Sequence, residues 1–320
     1  MTNYNLEENE SENLKKLILQ VKFFEAYQRK KQYITEGAIK NNIDLISLLK
    51  VELYKSDFSF IDQLNVNKHL KLLKDDNKKN AHDVILNNLA GIGVCDKNNV
   101  MIRNAYSDYL EGKRVLIIGP SSGKQYKVDA DVIIRFNCLG EEDTNVSYYS
   151  GEFFRNNKNE IVKLIESGVL HFAIINGNYV KQTKDIHPEI LNKILPLNPF
   201  IMQISTPLLA LPRTLYDLTC YGVKDIYITK IDFYTRFPLH SKHYKTTLSS
   251  VDEYLSSLSV HDLVSNYIIS KRLVDRNNFK GDWYFDNLIK LGVYKYIHIL
   301  EKNFNKSKII HSHIALNHDV

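Results

Sequence analysis

Cysteine is scarce in this sequence, and its few cysteines form no recognisable motif. The three cysteines, Cys95, Cys138 and Cys220, are far apart, with no CxxC pair and no zinc-finger spacing. The pattern excludes a disulfide-dense secreted scaffold and makes a reducing compartment the simplest interpretation. Long hydrophobic runs are also missing: no stretch of about 18 apolar residues predicts a transmembrane helix. The acidic N-terminus has no apolar segment, so no signal peptide is expected.

A strong charge of either sign is lacking as well. The chain has 42 basic and 37 acidic residues, which gives a net charge of +5. This mild excess favours anionic ligands or an anionic membrane surface without selecting between them. Because there is no long polybasic run, nucleic-acid binding is not indicated. The 320 residues, 44% hydrophobic and 25% charged, are typical of a globular protein with a large core.

The patterning changes twice along the chain and predicts three regions. Residues 1–10 are polar and are expected to be a disordered tail. Apolar residues at helical spacing then predict a mostly helical region over 11–110. From 111 to 320, short β-branched runs alternate with helical segments, which predicts an α/β domain. The helical region is expected to pack against this core, with an interaction platform or a lid as the alternative.

The α/β region is predicted to contain a mainly parallel sheet flanked by helices. The predicted strands are Val115–Ile118, Val132–Phe136, His171–Ile175 and Lys224–Thr229. Helices are predicted over Ile161–Glu166, Ile190–Leu195, 261–276 and 282–304, with another that begins at Pro207 and has Thr206 as N-cap. Ligands of such folds bind beyond the carboxyl ends of the strands. The last helix carries aromatic residues among lysines, which favours core packing, with a membrane-surface helix as the alternative.

A loop of small residues follows the first predicted strand: Gly119-Pro120-Ser121-Ser122-Gly123. Glycines let the backbone approach an anion closely, and serine hydroxyls add hydrogen-bond donors. It is not a Walker loop, because no Gly-Lys-Ser/Thr follows, and the GxGxxG spacing of dinucleotide folds is missing. The loop therefore predicts either a phosphate-binding turn or an ordinary turn after a strand.

Two polar side chains lie near the end of the second predicted strand. Arg135 and Asn137 are two residues apart, so they are expected on the same face of the strand. They could bind a phosphate, a ribose or a base. Alternatively, Arg135 could form a salt bridge with Asp129 or Asp131.

Ser205-Thr206-Pro207 has the composition of a helix start. Exposed backbone N–H groups and the helix dipole would favour an anion there. Simple N-capping is the alternative interpretation.

Histidines are concentrated between residues 240 and 261. His240 and His243 precede Tyr244, and His261 precedes Asp262. A neutral histidine can remove a proton from an attacking hydroxyl near neutral pH. A metal site on the first two histidines would need a third ligand at diagnostic spacing, and none is present.

Taken in order, these motifs resemble those of the animal-type sialyltransferase family. The family's long motif resembles Arg114–Asn137, a middle segment resembles Ile186–Leu191, and the short motif resembles Ile204–Ile228. A third motif resembles His243-Tyr244, and the last resembles His261 to Asn266. The resemblance covers roughly residues 113–276. It implies a Rossmann-like fold of the glycosyltransferase type A variant.

Three positions depart from the family pattern. Pro207 replaces the glycine of the short motif, and Asn266 replaces the glutamate of the last motif. Val115 stands where the family has a cysteine, so the family's bridge to the position of Cys220 cannot form. The missing bridge implies a cytoplasmic, bacterial-type member, and Pro207 and Asn266 mark it as divergent.

The resemblance implies transfer of a sialic acid-like sugar from a CMP-activated donor to a glycan hydroxyl, with inversion and without a metal or other cofactor. His261 would be the general base, and His243 or Tyr244 would face the leaving phosphate. The residues that would hold the donor are Gly119, Ser121, Ser122, Asn137, Asn176, Asn178, Ser205 and Thr206. The implied partner is a glycan or glycolipid acceptor in surface polysaccharide or lipooligosaccharide synthesis, reached from the cytoplasm or the inner face of the membrane.

Other functions fit the same scaffold. The donor could carry Kdo, another nonulosonic acid or a CDP-linked alditol in place of sialic acid. A non-catalytic α/β scaffold protein is the third option. The polar motifs at predicted strand ends count against a scaffold, which needs none there.

Overall fold

At the centre of the computed structural model is a seven-stranded parallel sheet. Its strands are β1 Arg114–Ile118, β2 Val132–Phe136, β3 Val146–Tyr149, β4 Phe172–Ile175, β5 Ile194–Pro196, β6 Asp225–Thr229 and β7 Lys280–Gly281. Their order is β5-β4-β3-β2-β1-β6-β7, and every neighbouring pair is parallel. The structure describes residues 12–40, 100–140, 143–175, 183, 185–196, 209–219, 221–236, 250–260 and 263–316.

Helices cover both faces of the sheet. They are α1 12–19, α2 Phe23–Lys40, α3 Val100–Leu110, α4 Gly151–Glu166, α5 Pro188–Leu191, α6 Ala210–Leu218, α7 Val251–Val260, α8 Leu263–Asn277, α9 Trp283–Lys290 and α10 Val293–Leu316. In β4, Phe172 and Ile174 lie in one hydrophobic cluster, whereas Ala173 and Ile175 lie in a second cluster with α4. Alternate residues of a strand face opposite sides, so this division places packed layers on both faces. The predicted α/β class is confirmed.

Sequence patterning located four strands to within one residue, because β1, β2, β4 and β6 each contain a short run of apolar, mostly β-branched residues, most of them buried. It did not locate β3, β5 or β7. The predicted helix over Ile190–Leu195 is wrong: α5 ends at Leu191, and Ile194 pairs with Ala173 of β4. Because β5 lies at the edge of the sheet, Pro196 at its end costs no ladder hydrogen bond.

The predicted helix start at Ser205-Thr206-Pro207 lies outside the described residues. Helix α6 begins at Ala210 with Leu209 as its N-cap. This start places Pro212 in the first turn, where a missing N–H needs no partner within the helix. The single helix predicted over 282–304 is divided in two, because α9 ends at Lys290 and α10 begins at Val293.

The described parts of the predicted helical region pack into the same core as the sheet. Val21, Phe23 and Tyr27 belong to the large hydrophobic cluster, together with Tyr106 and Leu110 of α3. For these residues, the structure shows the expected packing of the helical region against the core. The predicted tail at 1–10 and the remainder of the region at 41–99 lie outside the described residues.

Aromatic residues of α9 and α10 divide between core and surface. Phe285 and Tyr296 are completely buried, and Tyr296 stacks on Tyr267 with ring centroids 4.1 Å apart. Trp283 and Tyr294 are exposed, Trp283 at 72%. Core packing therefore accounts for part of this aromatic pattern. Among the described helices, none has the length and apolar character needed to span a bilayer.

Candidate functional site

The strand order creates one crevice at the carboxyl edge of the sheet. From β1 the sheet extends through β2 to β5 on one side, and through β6 and β7 on the other. In parallel α/β sheets, ligands bind where the order reverses, just outside the carboxyl ends of the strands. Here the reversal lies between β1 and β6, which end side by side at Ile118 and Thr229. The loops that follow these two strands form the candidate site.

The loop after β1 is tied to the loop after β6 by its own backbone. The Gly119 N–H donates to the Thr229 carbonyl at 2.9 Å, and the Ser121 N–H donates to the Lys230 carbonyl at 3.1 Å. A Cβ on Gly119 would overlap the Lys230 carbonyl oxygen and the Ile231 side chain. Gly119 is therefore needed for packing between the loops. Because these two N–H groups already have protein acceptors, ligand binding by this loop depends on its serine hydroxyls and its later N–H groups.

Of the two serines in this loop, Ser121 is 3% exposed and Ser122 is exposed. The loop ends at Gly123, beside Arg236 of the β6 loop. A methyl group on Gly123 would lie 3.0 Å from Arg236 Nη1 and 3.6 Å from Ser121 Oγ. A guanidinium and a serine hydroxyl thus converge on the same point of the crevice.

The loop after β6 has an unusual backbone. Lys230, Phe233 and Tyr234 have φ values of 56°, 47° and 64°, in the left-handed region that non-glycine residues seldom adopt. Such conformations persist where surrounding contacts impose them, and they concentrate at functional sites. One contact comes from Asp282, the N-cap of α9. Its Oδ2 accepts hydrogen bonds from Thr229 Oγ1 at 2.9 Å and from the Lys230 N–H at 3.1 Å.

Asp232 is a buried carboxyl group within this loop, 6% exposed. Its Oδ1 accepts a hydrogen bond from the Tyr234 N–H at 3.0 Å, whereas Oδ2 has no partner among the described residues. Burial raises the pKa of Asp232 to about 7, against the lowering effects of the Tyr234 N–H and the charge of Arg236. Nearby Asp282 adds to the increase. The group is therefore poised to exchange a proton near neutral pH.

Arg236 is the last described residue of this loop, and it rests on an aromatic ring. Its guanidinium carbon lies 3.1 Å from the ring centroid of Tyr284 in α9. The Tyr284 hydroxyl is 2.9 Å from Thr235 Oγ1, so the ring is held by the residue next to the arginine. This stacking fixes the plane of the guanidinium and leaves its edge to face the crevice.

Asn137 and Arg135, the two predicted ligand-binding residues near the end of β2, form hydrogen bonds within the protein. Asn137 has a φ of 50°, and its Oδ1 accepts a hydrogen bond from the Ser150 N–H at 3.0 Å. Arg135 Nε donates to the Asp143 carbonyl at 3.1 Å. The alternative pairing of Arg135 with Asp129 or Asp131 does not occur, because Arg114 pairs with both aspartates.

The other predicted site residues lie outside the described residues: Asn176, Asn178, Ser205, Thr206, His243, Tyr244 and His261. Asn266 and Leu209, which are close in sequence to His261 and Thr206, are described and are hydrogen-bonded to each other. Asn266, which replaces the family's glutamate, is buried, and its Oδ1 accepts a hydrogen bond from the Leu209 N–H at 2.7 Å. Asn266 thus links α8 to the N-cap of α6.

Sequence analysis assigned no role to Asp232, Arg236 or Tyr284. One signal was available, because the predicted strand ending at Thr229 implies a loop at the carboxyl edge of a parallel sheet. An aspartate between Ile231 and Phe233 is a second signal, since an acid flanked by large apolar residues is often buried. The stacking on Tyr284 had no local signal.

The similarity of this chain to known proteins is limited to solved structures at low identity. No protein-family model matches the chain, and no curated protein matches it. Two solved structures of the sialyltransferase CstII from Campylobacter jejuni match at low similarity. One is the complex with cytidine-5'-monophosphate, at 16% identity and a TM-score of 0.36, covering 53% of this chain and 79% of that chain. The other is the complex with CMP-3FNeuAc, at 15% identity and 0.37, with the same coverage.

These comparisons assign no family. TM-scores this low do not establish a shared fold, so the α/β class rests on the observed sheet.

Proposed function

We propose that the protein is a glycosyltransferase that moves a sialic acid-like sugar from a CMP-activated donor to a glycan hydroxyl. The transfer inverts the anomeric centre and needs no metal ion. The acceptor is a glycan or glycolipid of surface polysaccharide or lipooligosaccharide synthesis, reached from the cytoplasmic side of the membrane.

One observation carries the proposal: the convergence of Arg236 and Ser121 beside Gly123, at the switch point of a parallel sheet. A site of this kind supplies hydrogen-bond donors and positive charge to an anionic group. The leaving group of a CMP-sugar is a phosphate monoester, whose growing charge such donors stabilise in place of a divalent cation. The motif resemblance over 113–276 supports the same donor class.

Support for His261 as the general base comes from helix α8, which begins at Leu263. A short connection joins the end of α8 at Asn277 to the start of β7 at Lys280, and β7 runs parallel to β6. The end of α8 therefore lies near the amino edge of the sheet, and its beginning lies toward the carboxyl edge. His261 precedes that beginning by two residues in the sequence. The bond between Asn266 and Leu209 further links this helix to the start of α6.

In the proposed mechanism, His261 removes the proton from the acceptor hydroxyl as that oxygen attacks the sugar. His243 or Tyr244 stabilises the departing phosphate. Ser121, Ser122 and Asn137, with Asn176 or Asn178, hold the nucleotide. Ser205 and Thr206 bind the sugar carboxylate or the cytidine.

The decisive experiment is a thermal-shift comparison of CMP, CDP, UDP and GDP with the full chain. A ligand that binds the folded state raises the melting temperature by an amount that grows with the logarithm of its concentration relative to Kd. We expect CMP or CDP to stabilise the protein and UDP and GDP to leave it unchanged. A preference for UDP or GDP would refute the cytidine donor. Repeating the CMP measurement in excess EDTA tests whether binding needs a metal.

The second candidate is a transferase on the same scaffold with a different donor, such as CMP-Kdo, another CMP-nonulosonic acid or a CDP-alditol. Stabilisation by CDP in clear preference to CMP would favour the alditol donor. If no nucleotide stabilises the protein, a non-catalytic scaffold becomes the better interpretation.

A further inference from the structure

The guanidinium of Arg236 contacts an aromatic ring. Among the residues that the structure describes, no carboxylate forms an ion pair with it, and its contact is the face of Tyr284 at 3.1 Å. A guanidinium stacked on a ring keeps its N–H donors at its edge. These donors are therefore oriented by the fold before any ligand arrives.

The edge of this guanidinium faces the loop after β1. Arg236 Nη1 and Ser121 Oγ lie 3.0 Å and 3.6 Å from the position that a Cβ of Gly123 would occupy. Gly123 permits this close approach, because a Cβ at this position would lie nearer to Arg236 Nη1 than an ordinary contact allows. Two donors from loops that follow adjacent strands therefore lie beside the same glycine.

The acid closest in sequence, Asp232, does not neutralise Arg236. Its Oδ2 is buried without a partner among the described residues, and its Oδ1 accepts from the Tyr234 N–H. Because burial raises the pKa of Asp232 to about 7, the carboxyl is protonated in a large fraction of molecules at neutral pH. The positive charge of Arg236 is thereby left for a ligand.

Resting on the proposed function, we propose that Arg236 binds the phosphate of the donor nucleotide, with the Ser121 hydroxyl as second donor and Tyr284 as the platform that positions the guanidinium. An arginine presents its N–H groups as a rigid fork that matches two oxygens of a phosphate. Tyr284 is a positioning residue, since it acts through Arg236.

The test compares the binding of CMP and of cytidine, which lacks the phosphate, to the wild type and to Arg236→Gln by calorimetry. Loss of a charge-assisted hydrogen bond should weaken CMP binding by roughly ten- to a hundredfold. Cytidine binding should stay within about twofold. Arg276→Gln is the matched control, because this exposed arginine lies in the last turn of α8, away from the crevice.

Variants of the platform separate positioning from charge. Tyr284→Leu removes the ring but keeps Arg236, and Arg236→Lys keeps the charge but loses the planar fork. Each should weaken CMP binding less than Arg236→Gln, and neither should affect cytidine. Equal weakening of CMP and cytidine binding by Arg236→Gln would overturn the assignment, as would unchanged CMP binding.

Inorganic pyrophosphate makes failure of this assignment distinguishable from failure of the proposed function. If pyrophosphate stabilises the wild type but not Arg236→Gln, while no cytidine nucleotide binds, the anion site stands and the cytidine donor is wrong. If the wild type binds neither pyrophosphate nor any nucleotide, the assignment of Arg236 is overturned as well.

Discussion

Each edge of the sheet has an arginine, and the two arginines are held in opposite ways. At the amino edge, Arg114 donates to Asp131 through Nε at 3.1 Å and Nη2 at 3.0 Å, and to Asp129 through Nη1 at 2.7 Å. Arg114 in turn lowers the pKa of Asp131 to about 2. At the carboxyl edge, Arg236 rests on a neutral ring. The comparison separates an arginine that completes an ion-pair network from one that is available to an anion.

A cavity is present at the amino edge of the sheet, opposite the candidate site. Its volume is about 360 Å³, and it lies between the starts of β1 and β6 and the end of α8, lined in part by Arg114, Tyr227 and Phe279. Parallel sheets bind ligands at the opposite edge, where the connections follow the strands. The strained backbone and the buried orphan carboxylate oxygen are found there too. Charge and topology therefore favour the carboxyl edge as the site, although this cavity lies at the amino edge.

The largest effect should come from His261, the proposed general base, with a histidine at the amino edge as its control. His261→Ala should lower the rate of sugar transfer by about 10² to 10⁴, because a general base contributes roughly that factor. CMP binding should persist. The measurement is release of CMP from a CMP-activated sialic acid in the presence of acceptor. His171→Ala is the control, since His171 is exposed before β4 at the amino edge. Near-normal turnover of His261→Ala would remove this residue from the role of base.

A glycine pair tests the packing between the two site loops. In Gly119→Ala, the added methyl group would overlap the Lys230 carbonyl, so we expect a loss of about 3 kcal/mol in unfolding free energy. In Gly222→Ala, at the amino edge, the methyl group would meet Glu111 Cγ at an ordinary 3.5 Å. Urea denaturation of both variants measures the difference. Similar stabilities would show that the loops separate easily.

The pKa of Asp232 predicts how stability changes with pH. Below the ordinary value of 3.8, the carboxyl is protonated in both the folded and the unfolded chain. Between there and about 7, only the folded chain keeps the proton, so stability should fall as pH rises. The decrease should total about 4 kcal/mol, at 1.36 kcal/mol for each pKa unit.

Asp232→Asn should abolish this pH-dependent contribution, as measured by urea denaturation at several pH values. Asp225→Asn, which removes an exposed charge at the amino edge, is the control. If the stability of the wild type and of Asp232→Asn changes in parallel with pH, the carboxyl is not protonated in the fold.

The smallest effect is expected from Arg114→Gln. Its carboxylate partners are solvent-exposed, and exposed ion pairs contribute little to stability. We expect a slight decrease in melting temperature at low salt that disappears at high salt, because mobile ions screen such pairs. CMP affinity should be unchanged. A loss of CMP binding in Arg114→Gln would contradict the distinction between the two edges.

The sequence predicted the sheet better than it predicted the site. Strands such as Val132–Phe136 were located because they are rich in β-branched and aromatic residues, and in this strand Val132, Ile134 and Phe136 are buried. The run Ile194–Pro196 was missed because three residues are too few to show a period and a helix precedes them closely. Lys280–Gly281 has only two residues, so its pairing with β6 depends on tertiary structure.

The same distinction applies to the site residues: local composition predicted some of them, whereas the properties of others depend on tertiary contacts. The loop Gly119–Gly123 could be predicted from its composition and its position after a strand, although the backbone bonds of Gly119 to the β6 loop could not. Asp232 and Arg236 gain their properties from burial and from a ring 48 positions further along the chain, neither of which a local pattern contains. Such properties emerge only when distant segments meet.

Asp282 connects the loop after β6 to the helix that carries Trp283. Its carboxylate accepts a hydrogen bond from the Lys230 N–H at the start of the β6 loop. It also accepts one from the Phe285 N–H in the first turn of α9, at 2.9 Å. Displacement of that loop is thereby transmitted to the beginning of α9, where Trp283 is exposed to solvent. Trp283 is the only tryptophan in the sequence. Its emission therefore offers a label-free measurement of whether a ligand in the crevice displaces the loop after β6.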